Sequence, residues 1–121
     1  ATPRPGEIWV APGDSHMRLG PGGRLLLDKE PPIHSCRPSA DALFISVAEQ
    51  LGAQAVGILL TGMGGDGARG LLRMKQSGAV TLAQNEASSA VFGMPKEAIE
   101  MGAAAHVLPP EEIGIFLQRC A

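Results

Sequence analysis

Apolar runs recur at regular intervals along the last two thirds of the chain. Residues 55–60 and 79–83 are apolar at nearly every position, and residues 105–108 form a shorter run of the same kind. A strand that is apolar on both of its faces is typical of a parallel sheet covered on both sides. These runs therefore predict three parallel strands.

Helical patterns fill the segments between the apolar runs. Ser39 is a favourable N-cap for a helix over residues 40–51, which has apolar side chains at helical spacing and Gly52 as its stop signal. Further helices are predicted over residues 67–77, 95–101 and 110–120. Strands that alternate with helices in this way are joined by right-handed crossovers. The pattern predicts an α/β fold with a parallel sheet and crossover helices.

The first 28 residues have a different pattern. Short apolar runs at residues 7–11, 16–19 and 24–28 are separated by glycine and proline turns, which predicts an antiparallel β-ribbon near the N-terminus. Three prolines within residues 29–38 favour an extended connection after it.

A three-stranded parallel sheet is small for a domain with two covered faces. We therefore expect further strands from upstream polypeptide, so that residues 1–121 form the C-terminal portion of a single domain. Ala1 stands where a complete chain would begin with Met, which agrees with that expectation. An exposed sheet edge and an uncovered apolar face should then favour self-association or pairing with a partner.

The glycine-rich segment Thr61-Gly-Met-Gly-Gly-Asp-Gly67 joins the first buried strand to the helix after it. Corners of this kind, at the carboxyl ends of strands, are where ligands and catalytic groups collect in α/β proteins. Asp66 is its only charged residue, and two roles are open to it. It can orient a histidine as the acid of a catalytic triad, or cap the helix that follows.

The same segment also matches a dinucleotide-binding fingerprint. Gly62, Gly64 and Gly67 satisfy G-x-G-x-x-G, and Glu86 follows at a suitable distance. Asp66, however, would place a carboxylate where a pyrophosphate needs N–H donors. A phosphate-binding P-loop is excluded because no Lys-Ser/Thr pair follows the glycines.

Composition excludes several classes of partner. A net charge of −2, one Trp, three Phe and no Tyr argue against a nucleic-acid-binding surface. No apolar run approaches the roughly 20 residues of a membrane span, and the expected location is the cytoplasm. Cys36 and Cys120 are too few and too far apart for a metal cluster and are expected to be free thiols.

No complete catalytic triad is evident within the 121 residues. The three histidines and seven serines include no serine in a Gly-x-Ser-x-Gly elbow. His34 and Cys36 are neighbours in sequence, but a catalytic Cys-His pair is normally assembled by the fold. The methionines at 63, 94 and 101 are interpreted as core or pocket-lining side chains.

Four segments together resemble one family. They are Thr61-Gly-Met-Gly-Gly-Asp-Gly67, Gln84-Asn-Glu-Ala-Ser-Ser-Ala-Val-Phe-Gly-Met-Pro95, Val10-Ala-Pro-Gly-Asp-Ser-His-Met17 and Arg37-Pro-Ser-Ala-Asp41. In this order and spacing they are similar to the C-terminal part of the CheB-type protein-glutamate methylesterase domain of bacterial chemotaxis. The similarity covers nearly all of residues 6–119.

The resemblance implies a Ser-His-Asp hydrolase that removes methyl esters from chemoreceptor glutamates and deamidates selected glutamines. It places the triad acid on Asp66 and puts Met63 in the substrate pocket near the oxyanion site. It implies no metal and no organic cofactor. The implied partners are the cytoplasmic helices of methyl-accepting chemoreceptors, the upstream half of the domain and a receiver domain.

The chain also departs from the family pattern. The family's serine motif, similar to Gly-Ala-Ser-Thr-Gly-Gly, and its histidine motif, similar to Gln-His-Met-Pro, do not occur in residues 1–121, and Cys36 stands where a typical member has histidine. We therefore expect the isolated chain to be inactive, because an acyl-enzyme route needs both nucleophile and base. The alternative from another class is a non-catalytic signalling module that kept the fold to bind a partner.

Overall fold

The computed structural model describes residues 2–120, and its elements follow the predicted order. Strands β1 (His16–Leu19) and β2 (Leu25–Asp28) precede helix α1 (Ala40–Leu51). The remaining elements are β3 (Val56–Leu59), α2 (Ala68–Gln76), β4 (Val80–Gln84), α3 (Met94–Glu100), β5 (His106–Leu108) and α4 (Pro110–Cys120). The predicted α/β class is confirmed.

The parallel sheet has the order β3-β4-β5. Val56 lies opposite Val80, and Leu82 lies opposite His106. The central strand β4 is buried on both faces, with Thr81 and Leu82 fully inaccessible to solvent. This burial explains why apolar and polar residues do not strictly alternate along β4, and its polar side chains, Thr81 and Gln84, are buried as well.

Helix α2 lies at the centre of the packing. Leu71 packs with Leu59 of β3 and Ala98 of α3, whereas Met74, one turn further on, packs with Ala48 of α1. Leu71 and Met74 are almost completely buried. The two core clusters therefore meet on one helix, which fixes α1, α3 and the sheet around it.

Helix α1 has the predicted N-cap and C-cap. The Ser39 hydroxyl accepts a hydrogen bond from the Ala42 amide, and Gly52 has a positive φ of 53°. The main neighbours of α1 are helix α2 and ribbon strand β1. Ser46 helps to join α1 to the ribbon, because its hydroxyl accepts from the Leu19 amide at 2.8 Å.

The antiparallel ribbon is confirmed, but it is shorter than predicted. Strands β1 and β2 pair from His16 with Asp28 to Leu19 with Leu25. The predicted strand at residues 7–11 is wrong, because within residues 2–120 this segment joins no ladder, and Ile8 is 92% exposed. Strand-like composition alone does not form a strand without a neighbouring edge that takes up its hydrogen bonds.

The proline-containing connection over residues 29–38 was predicted to be extended, but it contains a tight turn. Ile33 and Cys36 exchange backbone hydrogen bonds of 3.0 and 2.8 Å around a tight turn. His34 and Ser35 occupy this turn with positive φ values. The turn carries His34 toward the N-terminal end of α1.

The assignment of residues 1–121 to the C-terminal portion of one domain stays a prediction. Ala1 and Ala121, its two ends, lie outside the described residues.

Candidate active site

The glycine-rich loop between β3 and α2 is attached to the loop that follows β4. The Gly62 amide donates to the Val91 carbonyl at 2.9 Å, and the Thr61 hydroxyl both donates to that carbonyl and accepts from the Val91 amide. The Thr61 amide also donates to the Gln84 side chain at 2.7 Å. The segments Thr61–Gly67 and Gln84–Pro95 thus form one structural unit at the carboxyl ends of neighbouring strands.

Asp66 is buried in this loop, with 5% of its surface exposed. Its Oδ1 accepts from the Ser39 hydroxyl at 2.7 Å and from the Asp41 amide at 3.4 Å, and its Oδ2 accepts from the Ala40 amide at 2.6 Å. All three donors belong to the N-terminal end of α1. These donors lie at the positive end of the helix macrodipole, which interacts favourably with a carboxylate.

The interpretation of Asp66 as the cap of the helix that follows it is wrong. The N-cap of α2 is Gly67, which supplies no side-chain hydrogen bond. Asp66 instead caps α1, an earlier helix. Its contact with Ser39 joins two residues that are 27 positions apart in the chain. An aspartate at this position correctly indicated a capping role. The helix that it caps, however, is not the one that follows it in sequence.

Helix α2 receives its cap from α1 in return. Asp41, 3% exposed, accepts from the Gly70 amide through its Oδ1 at 2.7 Å. The two helices therefore exchange capping carboxylates, since Asp66 caps α1 and Asp41 caps α2. Each buried carboxylate is compensated by backbone N–H donors and a helix dipole.

Two glycines permit this exchange. Gly67 has a φ of +97°, and a Cβ atom on it would lie 2.8 Å from the Leu59 side chain and 3.2 Å from Ala40. A Cβ atom on Gly70 would lie 2.7 Å from Cβ of Phe44. Larger residues would force the Asp66 loop and α2 away from α1.

A mostly apolar cavity of about 400 Å³ lies beside Asp66. It is lined by Ala11, Met17, Cys36, Pro38, Ser39, Ala40, Leu43, Asp66 and Met94. A carboxylate has about four acceptor positions, and hydrogen bonds from α1 occupy three of them. The free acceptor position of Asp66 is therefore on Oδ2, which accepts only from Ala40.

Met63, the predicted pocket residue, does not line this cavity. Its side chain is 82% exposed on the same loop, three positions before Asp66. The interpretation of Met94 as a pocket-lining residue agrees with its position on the cavity wall.

None of the histidines in residues 2–120 hydrogen-bonds Asp66. His16 is fully buried, and its Nδ1 accepts from the Ser39 amide at 3.2 Å while its Nε2 lies 3.0 Å from the Pro31 carbonyl. Because an amide only donates and a carbonyl only accepts, Nδ1 is the acceptor and Nε2 carries a proton. His16 is therefore a structural link between the ribbon and α1.

The other two histidines also lie apart from Asp66. His34 is half exposed, with Nε2 3.5 Å from Oδ2 of Asp41. His106 packs its ring against Phe116, with 5.0 Å between ring centroids. Neither is placed to be the base of a triad with Asp66 in this structure.

Cys36 lies on the cavity wall, and it is a free thiol, as is Cys120. Its Sγ contacts the His34 carbonyl oxygen at 3.5 Å rather than the imidazole, so the pair does not form a catalytic Cys-His arrangement. Burial raises the pKa of the Cys36 thiol, and the carboxylates of Asp66 and Asp41 raise it further. The neutral thiol is favoured at this position.

The dinucleotide alternative receives little support from the geometry. The Gly70 amide near the start of α2, one of the donors that would face a pyrophosphate, is already bonded to Asp41. Among the described residues, no group of three His, Cys, Asp or Glu side chains is placed to hold a metal ion. Nor does any helix within residues 2–120 have the length and apolarity needed to cross a membrane.

Ser39, Ala40 and Asp41 are the site residues whose role the sequence did not reveal. Ser39 was identified as an N-cap and as part of the Arg37-Pro-Ser-Ala-Asp41 segment, whereas Asp41 was identified only as part of that segment. That segment was the available signal, but its contact with Asp66 depends on tertiary packing.

Comparisons with known proteins identify similar sequences. A family model described as CheB methylesterase matches residues 1–117. Protein-glutamate methylesterase FrzG of Myxococcus xanthus is 50% identical over 115 residues, which cover 95% of this chain and 34% of the relative. A protein-glutamate methylesterase/protein-glutamine glutaminase of Escherichia coli strain K12 is 52% identical over 112 residues, which cover 90% of this chain and 32% of the relative. The chain spans about a third of the length of these curated relatives.

A solved structure is also similar. The crystal structure of the Thermotoga maritima CheB methylesterase catalytic domain matches with a TM-score of 0.88 and 36% sequence identity. The match covers 93% of this chain and 61% of that one.

Proposed function

Because the chain belongs to the CheB methylesterase family, we propose that it is part of a protein-glutamate methylesterase and glutaminase in which Asp66 is the acid of a Ser-His-Asp triad. One observation carries this proposal. The buried carboxylate of Asp66 lies beside an apolar cavity of about 400 Å³, where three donors hold it and leave one acceptor position free on Oδ2.

The role of Asp66 follows from this geometry. A histidine entering the cavity donates its Nδ1–H to Oδ2 of Asp66, which fixes the tautomer and leaves Nε2 free as the base. As the serine hydroxyl loses its proton to Nε2, the ionised carboxylate stabilises the imidazolium that forms. The N-terminal end of α1 keeps Asp66 in one orientation throughout this step.

The reaction proceeds through an acyl-enzyme. The serine oxygen attacks the glutamyl ester carbonyl, the imidazolium returns the proton to the leaving oxygen, and methanol departs. Water then hydrolyses the acyl-enzyme to glutamate. With a glutamine substrate the leaving group is ammonia and the other steps are the same. The serine and the histidine are supplied by sequence outside residues 1–121, and no metal or organic cofactor takes part.

The proposed substrates are glutamyl methyl esters and selected glutamines on the cytoplasmic helices of chemoreceptors. Met63 contributes to the surface that receives the substrate, because it is 82% exposed on the loop that carries Asp66. A receiver domain and the upstream half of the catalytic domain are the proposed partners within the same protein, which acts in the cytoplasm.

The substitution Asp66→Asn in the intact protein tests the catalytic role. We expect kcat/KM for methanol release from a methylated receptor to fall by roughly 10³- to 10⁴-fold, because an amide in place of the acid favours the wrong histidine tautomer. Asp28→Asn is the matched control, since Asp28 pairs with Arg18 on the ribbon surface. It should leave kcat/KM within about threefold of the parent, as expected for a surface pair.

Equal activity of the Asp66→Asn and Asp28→Asn variants would contradict the assignment of Asp66. An intact protein that binds the receptor but releases no methanol would instead support the non-catalytic signalling module. Residues 1–121 alone are expected to release no methanol from the receptor, because the nucleophile and the base are absent from them.

A further inference from the structure

Ser39 stands at the centre of the hydrogen bonds that hold Asp66. Its hydroxyl has a single proton, which it donates to Oδ1 of Asp66 at 2.7 Å. The same oxygen accepts from the Ala42 amide at 3.3 Å, and the Ser39 amide donates to Nδ1 of His16 at 3.2 Å. Ser39 is 2% exposed. Its backbone and its side chain are therefore both fixed by partners other than Asp66.

We propose that Ser39 is a positioning residue for catalysis, which holds the Asp66 carboxylate in the orientation that receives a histidine. This proposal rests on the proposed function, since it concerns the rate of the same reaction. Ser39 acts through Asp66 and has no contact with the reacting atoms.

The division of donors between the two carboxylate oxygens supports this role. Oδ1 accepts from Ser39 and more distantly from Asp41, at 3.4 Å, whereas Oδ2 accepts only from Ala40. The strong contact to Oδ1 from a side chain prevents rotation of the carboxylate about its Cβ–Cγ bond. A partial rotation would turn the free acceptor position on Oδ2 away from the direction in which it receives the histidine.

A hydroxyl is suited to this position for a second reason. An ordinary N-cap needs only an acceptor for the amide of the third helical residue, and Ser39 meets that need at Ala42. The bond to Asp66 is additional and uses the hydroxyl proton. A residue that caps the helix without a hydroxyl would preserve α1 but remove the side-chain hydrogen bond to Oδ1 of Asp66.

The Ser39→Ala and Ser39→Gly variants of the intact protein test the proposal by methanol release from a methylated receptor. We expect kcat to fall about 10- to 100-fold, because one charge-assisted hydrogen bond is lost. KM should stay within about threefold of its value in the parent protein. Glycine at an N-cap retains most of the helix stability, so Ser39→Gly separates positioning from folding. Ser39→Thr, which keeps the hydroxyl, should restore most of kcat.

Ser46→Ala is the matched structural control. Ser46 is a buried serine of the same helix, and its hydroxyl accepts from the Leu19 amide and donates to the Leu43 carbonyl, not to Asp66. Thermal unfolding of each variant measures the structural cost. Ser46→Ala should lower the melting temperature without the loss of kcat seen in the Ser39 variants.

The double variant Ser39→Gly/Asp66→Asn supplies the decisive comparison. If Ser39 acts through Asp66, the double variant is no slower than Asp66→Asn alone. Unchanged kcat in Ser39→Gly, or losses that multiply in the double variant, would overturn the proposal while leaving the role of Asp66 intact. An Asp66→Asn variant as active as the parent would overturn the proposed function itself.

Discussion

Cys36, on the wall of the cavity beside Asp66, has a thiol whose pKa is raised by its surroundings. Burial raises the pKa of its thiol, and the negative charges of Asp66 and Asp41 add to the effect. Because the thiolate is the nucleophile, a raised pKa makes Cys36 less reactive at neutral pH.

We expect iodoacetamide at pH 7 to alkylate the exposed Cys120 well before Cys36, and the rate at Cys36 to rise as the pH becomes alkaline. Mass spectrometry of digested protein measures both sites in one sample. Asp66→Asn should accelerate labelling of Cys36, because it removes one of the negative charges that raise the pKa. Equal labelling of both cysteines at pH 7 would contradict this prediction.

The serine and the two aspartates at the helix N-termini differ in how far the sequence revealed them. Asp66 was identified from its position in the glycine-rich segment and from the family resemblance. Ser39 was identified as a cap, which is confirmed. That Ser39 also donates to Asp66, and that Asp41 bonds Gly70, was not predictable, because each contact spans more than 20 residues of chain.

At the scale of elements, the close approach of α1 and α2 makes the site possible. Gly70 lies where the two helices meet, and it donates its amide to Asp41. A Cβ atom at this position would lie 2.7 Å from Cβ of Phe44 and 3.0 Å from Cα of Asp41. Neither of these atoms is the end of a flexible side chain, so the helices would have to separate.

Gly70→Ala is therefore expected to lower the free energy of unfolding of the intact protein by about 1–3 kcal/mol, the usual cost of overpacking. Gly114→Ala in α4 is the matched control, because among the described residues no atom beyond its own stretch of helix lies within 4 Å of the position that the new methyl group would occupy. In an open helical position the same change should stabilise by about 0.5–1 kcal/mol. Urea denaturation of both variants checks the difference, and stabilisation by Gly70→Ala would contradict the packing argument.

Helices and strands were predicted well where the local sequence pattern agrees with the packing of the same residues in the core. Helix α2 and strand β4 have the expected positions because their apolar side chains are also the ones buried in the core. Residues 7–11 were predicted incorrectly as a strand, because a strand depends on a paired edge that composition does not supply.

At the scale of the whole molecule, apolar side chains remain exposed on the N-terminal segment and the ribbon. Ile8 is 92% exposed and Val10 82%, and Leu27 on β2 is 58% exposed. Within residues 2–120, one edge of the parallel sheet is formed by β3, which pairs only with β4. Exposed apolar groups and an unpaired strand edge are both sites of association.

We therefore expect the 121-residue chain, produced alone, to self-associate and to bind a dye that reports exposed apolar surface. Sedimentation velocity measures the association, and Ile8→Lys/Val10→Lys should reduce it. Ile115→Lys is the control, since Ile115 is 49% exposed on α4, away from this segment in the chain. A stable monomer that binds no dye would contradict the prediction.

The sequence by itself determined the α/β class, the order of elements from residue 40 onward and the loop that carries Asp66. These features depend on local signals, namely caps, glycine stops and continuous apolar runs, that act over a few residues. Only the tertiary structure decided which helix Asp66 caps. That outcome depends on the distance between α1 and α2, which Gly67 and Gly70 permit through contacts between residues far apart in the chain.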